Sequence, residues 1–200
     1  HIAADRCYYQ LGKKNVLVEA YRGERFGTRE TSITNSVPQN LTGYWLKKGS
    51  DSEVSNVGYN NAFMTDYPCV LIRLADLYLM KAEAWNEYLA VPDEEHVYAP
   101  LNEVRRRAGI PDVKEAWKTD AKNPGKVATK EGMREIIHRE WDIEFAFEGR
   151  RFWNLRRWLT AVDELNEEQY GWNIVGRNAR EFYNNFKDCL LYTSDAADDT

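Results

Sequence analysis

The spacing of apolar residues changes at Pro68. Before it, residues 1–65 hold no sustained helical period. Val16, Val18 and Tyr21 flank short strand-like runs, and Gly23, Gly27 and Gly43 punctuate them. Residues 42–48 read as a short strand with an apolar group on each face, and the Ser/Asn/Gly-rich stretch 49–61 reads as a loop. Beyond Pro68, Leu71, Leu74, Ala75, Tyr78, Ala82, Trp85 and Leu89 recur at helical spacing. Leu77, Leu79, Met80 and Ala84 add apolar surface off that stripe, which predicts a helix covered on more than one side.

Pro92 and Asp93 mark a turn, and a second helix is expected over 94–108, with Val97, Leu101, Val104 and Ala108 as its apolar row. Pro100 predicts an irregular first turn, and Gly109, Ile110 and Pro111 end the helix. The interval from Tyr78 to Pro111 has the length of one tetratricopeptide unit, about 34 residues. Residues 112–128 are expected to form a long loop. Thr129 then caps a helix that runs to Glu148, turns at Gly149 and continues as a further helix to about Leu165. The predicted fold is mainly α: tetratricopeptide-like helical hairpins with irregular loops and a few short strands. Residues 1–66 form the loop and short-strand region and 67–188 the helical region.

Composition narrows this picture. A 200-residue chain that is 43% hydrophobic is long enough and apolar enough for one domain with a real core. A net charge of -5 argues against nucleic acid as a partner. Cys7, Cys69 and Cys189 show no CxxC spacing, and no apolar run is long enough to cross a bilayer as a helix. The last residues, CLLYTSDAADDT at 189–200, differ abruptly from what precedes them. They resemble the in-frame translation of a transposon sequencing-library adapter and are expected to be an artefact. Without Asp195, Asp198 and Asp199 the charge falls from -5 to -2.

Glu140, Glu144 and Glu148 recur every four residues and share one helix face. Two acids on one helix do not face each other across a sugar cleft, as a glycosidase requires. With Arg150, Arg151 and Arg156 following, an interhelical ion-pair network is the expectation. Glu135 and His138 have the ExxH spacing of di-iron proteins but lack the second motif. Asp51, Glu53 and Ser55 alternate as in a calcium loop but lack its turn glycine. No phosphate loop, nucleophile elbow or zinc motif is present, so no catalytic residue, metal or cofactor is expected. The three histidines leave few general-base candidates. Aromatic residues are plentiful. Tyr78, Trp85, Phe145, Phe147, Phe152 and Trp158 fall at helical spacing and are expected in the core. Trp45, Tyr59, Tyr67, Trp117, Tyr170 and Trp172 fall in loops or at strand ends. An aromatic face with polar neighbours suits a sugar, so Trp45, Tyr59, Trp117 and Trp172 are the candidate ligand contacts.

Four blocks carry a family resemblance: TGYWLKK at 42–48, IRLADLYLMKAEAWNE at 72–87, LNEVRRRAGIP at 101–111 and EGMREIIHREWDIEFAFEGRRFWNLRRW at 131–158. GWNIVG at 171–176 and the Phe182-Tyr183 pair continue it. Together they resemble the C-terminal region of the SusD/RagB outer-membrane nutrient-binding lipoproteins. Trp141-Asp142 departs from the basic or polar residues more usual there. The resemblance implies a SusD-like helical fold and a cell-surface, outer-membrane location through an N-terminal lipid anchor missing from this fragment. It also implies capture of oligosaccharide or other nutrients, a SusC-like TonB-dependent transporter as partner, and binding without catalysis. A tetratricopeptide scaffold contacting only protein, or a carbohydrate-active enzyme, would be the alternatives.

Overall fold

The computed structural model describes residues 2–3, 8–11, 14–17, 19–21, 24, 43–46, 48, 70–167, 170–173, 176–184 and 187–188. Tyr59, Tyr67, the loop at 49–61 and the tail at 189–200 lie outside the described residues. The chain divides into two compact units: residues 68–161, and residues 1–67 together with 162–200. The expected helical region ran to 188, whereas residues from Val162 onward group with the N-terminal part.

Among the described residues of the unit spanning 68–161, the regular elements are all helical. Helix α1 (Leu74–Tyr88) buries Ala75, Leu79 and Ala82 on one side. A π-helical turn, Glu94–Tyr98, precedes α2 (Ala99–Arg107), whose first turn carries Pro100. The irregularity expected at that proline therefore takes the form of a widened turn directly before it, with the Asp93 side chain capping the backbone N–H of His96 at 2.8 Å. Helix α3 (Val113–Asp120) and a 3-10 turn (Pro124–Ala128) occupy the stretch expected to be a long loop. Helix α4 (Lys130–Glu144) begins at Thr129, whose hydroxyl accepts the Gly132 N–H at 3.1 Å, as the sequence predicts. It ends at Glu144, four residues before the expected Glu148. Phe147 then adopts a left-handed conformation (φ 65°), ahead of Gly149 (φ 71°). Helix α5 (Arg151–Trp158) stops at left-handed Leu159 (φ 61°), so the last expected helix is interrupted before α6 (Ala161–Leu165).

Leu79, Ala82, Val97, Leu101, Val113, Met133 and Ile137 are fully shielded and form the centre of the core, with Trp141 and Phe145 completing it from α4. Helix α1 packs on α2, the π-helical turn and α4. Its far side is not covered as expected: Leu74, Leu77, Met80 and Tyr88 are exposed. Side chains at 75, 79, 82, 83 and 86 face the other helices, and the exposed set lies about half a turn away.

In the other unit, β1 (Ile2–Ala3) pairs antiparallel with β4 (Trp45–Leu46), and β2 (Tyr8–Leu11) with β3 (Lys14–Leu17). Strand β5 (Tyr170–Gly171) pairs with β6 (Lys187–Asp188), and α7 (Ala179–Asn184) lies between them in sequence. Phe182 is fully buried there. Trp172 stacks near it (centroids 5.9 Å, planes 22° apart), with Tyr183 edge-on to Trp172 at 5.5 Å and Tyr44 at 6.0 Å. Gly43 sits against this cluster at φ 74°. A Cβ there would stand 2.8 Å from Phe182 Cζ, so both the conformation and the space require glycine.

A cleft walled by Trp117 over a buried ion pair

The glutamates and arginines of the 134–158 stretch form ion pairs, largely with partners from elsewhere. Glu140 pairs with Arg105 of α2. Glu144 is bridged by Arg73, just ahead of α1, and by Arg107 of α2 at 2.5 Å. Glu148 takes Nε of the same Arg73 at 3.0 Å. Of the arginines expected to complete the network, Arg150 lies 3.2 Å from Asp76 and Arg151 2.5 Å from Asp142. Arg156 lies over the rings of Phe152 and Trp153. The pairing thus corrects the expected one: the network ties α4 to α1 and α2. It also explains why α4 ends at Glu144, because Arg73 Nη2 takes the Glu144 carbonyl at 2.8 Å, supplying the donor that another helical turn would have provided.

Sequence reasoning missed Arg73 as a binding group. Its one local signal is a lone cation just before the α1 stripe. Burial works against its charge, but hydrogen bonds to Glu148 and Glu144 outweigh burial and raise its pKa further above the usual arginine value.

Glu140 and Arg105 lie at the lining of a cleft of about 530 Å³ formed where α3 and the 3-10 turn meet α4. Helix α3 is held there by Val113, fully buried, whose N–H donates to Asn102 Oδ1 at 2.9 Å. The 3-10 turn is held by the Tyr98 hydroxyl on the Val127 carbonyl at 2.9 Å. It comes so close to α4 that a Cβ on Gly132 would overlap the Lys126 carbonyl oxygen. Ala116, Trp117 and Asp120 line the α3 side, while Ile136, Arg139, Glu140 and Ile143 line the α4 side at i, i+3, i+4 and i+7. Lys122, Asn123 and Lys126 add polar groups from the connection.

The half-buried Trp117 ring packs on the core by one part and lines the cleft by another. Lys126 Nζ lies 5.8 Å from its centroid and also pairs with Glu135. Burial pushes the Glu140 carboxyl above the usual carboxylate range, against the pull of Arg105. An apolar wall with a few converging polar groups at this volume is the usual make-up of a small-ligand site.

Among the four aromatic candidates, Trp117 lines this cleft. Trp172 lies in the separate aromatic cluster with Phe182 and Tyr183. Trp45 is described only through its backbone, in β4. The two residues of the ExxH spacing go different ways. Glu135 pairs with Lys126, and His138 stacks on Trp158 (centroids 3.7 Å, planes 13° apart) beside Glu83, which accepts from Arg157 and from Trp158 Nε1 at 3.0 Å. Among the described residues no group of three or more His, Cys, Asp or Glu side chains is placed to hold a metal ion.

A helical unit of stacked hairpins places the chain in the tetratricopeptide-like class of helical folds. The sequence matches the SusD family over residues 2–190, and the chain belongs to that family. It is 29% identical over 150 residues to the SusD-like protein P25 of Formosa agariphila, an alignment covering 74% of this chain and 26% of that protein. The chain therefore spans about a quarter of the length of this relative. No helix among the described residues is long and apolar enough to cross a membrane.

Proposed function

We propose that the protein binds oligosaccharide nutrients at the bacterial cell surface and delivers them to a TonB-dependent, SusC-like transporter in the outer membrane. The observation that carries this reading is the cleft that Trp117 lines: its aromatic surface would take the C–H side of a pyranose, and Asn123, Asp120, Arg139 and Lys122, which also line it, would take hydroxyls. Membership of the SusD family supports it. A lipid anchor ahead of the present residues would hold the protein at the outer leaflet. The ligand is bound and passed on unchanged.

Affinity electrophoresis of the full-length protein in gels containing different polysaccharides tests the binding. Retardation by at least one of them, reduced by Trp117→Ala and kept by Trp172→Ala, is the expected result. Free migration in every gel would refute glycan binding. Co-purification of a transporter-sized partner from solubilised outer membranes tests the delivery step, and its absence would refute that step alone.

A further inference from the structure

We infer that the cleft prefers glycans bearing an acidic substituent, a carboxylate or a sulfate, which Arg139 holds while a sugar face lies on Trp117; this rests on the glycan reading above.

Most other arginines of the helical unit are already engaged. Of the ten between residues 68 and 161, eight have carboxylate partners: Arg73, Arg105, Arg106, Arg107, Arg134, Arg150, Arg151 and Arg157. Arg156 lies over two aromatic rings. Arg139 alone among these described arginines makes no ion pair, hydrogen bond or ring contact, and it is one that lines the cleft. Its nearest acid in sequence, Glu140, is engaged by Arg105. Glu140 therefore feels the Arg139 charge without pairing with it.

Charge around the cleft points the same way. The Arg105–Glu140 and Lys126–Glu135 pairs cancel, and Lys122 balances Asp120, so Arg139 is in excess. Helix α3 ends at Asp120, and its carbonyl end adds negative partial charge on that side. An acidic group is thereby directed to the α4 side, where Arg139 stands between Ile136 and Ile143. A guanidinium flanked by apolar side chains presents a planar fork that matches a carboxylate or sulfate with two parallel N–H···O bonds. A neutral hydroxyl uses that fork poorly and leaves its charge uncompensated.

The test is calorimetry on the full-length protein with oligogalacturonate and its carboxyl-reduced counterpart, and with sulfated galactan oligosaccharides and their desulfated counterparts. The acidic member of at least one pair is expected to bind about tenfold tighter or more, a preference that shrinks as salt is raised. Arg139→Gln, an exposed change that leaves the core intact, should bring the two members of that pair to within about twofold, and Arg139→Lys should restore part of the difference. The pair that responds distinguishes a carboxylate from a sulfate. Equal affinity of wild-type protein for both members of every pair would overturn the charge preference and leave glycan binding standing. A preference that survives Arg139→Gln would overturn the assignment to Arg139. Binding of no member, acidic or neutral, would overturn the glycan reading and this inference with it.

Discussion

Arg73 donates from Nη2 to the backbone carbonyl of Glu144 at 2.8 Å while its Nη1 pairs with the carboxylate of the same residue. One side chain thus closes the end of α4 and neutralises its last acid, and its guanidinium lies 4.0 Å over the Phe145 ring. Removing it leaves the Glu144 carboxylate with Arg107 and the helix-terminal carbonyl short of a donor. Arg73→Met is expected to cost about 2 kcal/mol, the scale of charge-assisted hydrogen bonds lost from a partly buried site. Arg106→Met breaks only an exposed i,i+3 contact to Glu103 and should cost less than about 0.5 kcal/mol. Urea denaturation of the two variants checks this. Equal losses would mean that Arg73 contributes no more than a surface charge.

Gly132 should tolerate no side chain where α4 meets the 3-10 turn. It lies in the first turn of α4, where alanine is ordinarily favoured by up to about 1 kcal/mol. Here a Cβ would stand 2.7 Å from Thr129 Oγ1 and closer still to the Lys126 carbonyl, so the 3-10 turn must back away. Gly132→Ala is expected to lower stability despite its helix propensity and to weaken glycan binding by displacing Lys126 from Trp117. A melting temperature at or above that of the wild type would show that the turn yields freely.

His138 gives the helical unit a pH dependence of definite sign. Burial against Trp158 lowers its pKa below the usual histidine value. Glu83 and Glu87 oppose this, and Arg157 and Arg134 reinforce it. The unfolded chain then binds more protons than the folded one between the folded and unfolded pKa values, so stability rises with pH there. This contribution is complete above the ordinary histidine pKa, about 6.5, and is lost as pH falls toward the folded value. Glu83 acts lower down. Burial raises its pKa, but hydrogen bonds from Arg157 and Trp158 outweigh burial and hold it below the usual glutamate value. Its contribution is present above about pH 4.5 and is lost as pH falls through the depressed folded pKa. His138→Phe keeps an aromatic ring on Trp158 and removes the titration. Between pH 7 and about 5.5 the wild type should lose more stability than this variant. Parallel curves for the two proteins would contradict the burial of His138.

These cases show which parts of the structure the sequence exposes. Thr129 and Gly109 mark helix ends by local chemistry, and both ends lie where local chemistry puts them. Helix α3 was not visible because it is only two turns long and buries one residue, Val113, so no stripe develops between Pro111 and Pro124. Even so, Val113, Ala116 and Trp117 fall at i, i+3 and i+4. Local sequence points to Gly149 as the end of α4, whereas Arg73, 71 residues away in sequence, closes it at Glu144. For the same reason the glutamate face was legible but its partners were not: a four-residue period identifies a charged face, whereas only tertiary packing decides which arginines reach it. Trp117 was legible as an aromatic among polar residues, but Arg139 was not a candidate. Its distinguishing property is that its neighbours are already paired, and that exists only in the folded chain.

Glu140 and Asp120 both line the cleft, and Glu140 is held above the usual carboxylate range by burial, a combination that sugar hydrolases also use. Arg105 separates the two cases. It is buried, it pairs with Glu140 and it is fixed in turn by the Pro111 carbonyl at 2.8 Å, so the carboxylate is committed to a structural partner. A general acid must instead hand its proton to a leaving oxygen. Glu140→Gln is therefore expected to behave as a stability variant, losing about 3 kcal/mol because the Arg105 charge is left buried and unpaired. The double change Arg105→Met with Glu140→Met should recover much of that loss, since neither charge then remains to be desolvated. Incubating the wild-type protein with any polysaccharide that retards it should release no reducing sugar. Release that Glu140→Gln abolishes at full folding would instead make this cleft catalytic and place Glu140, with Asp120, at the centre of the reaction.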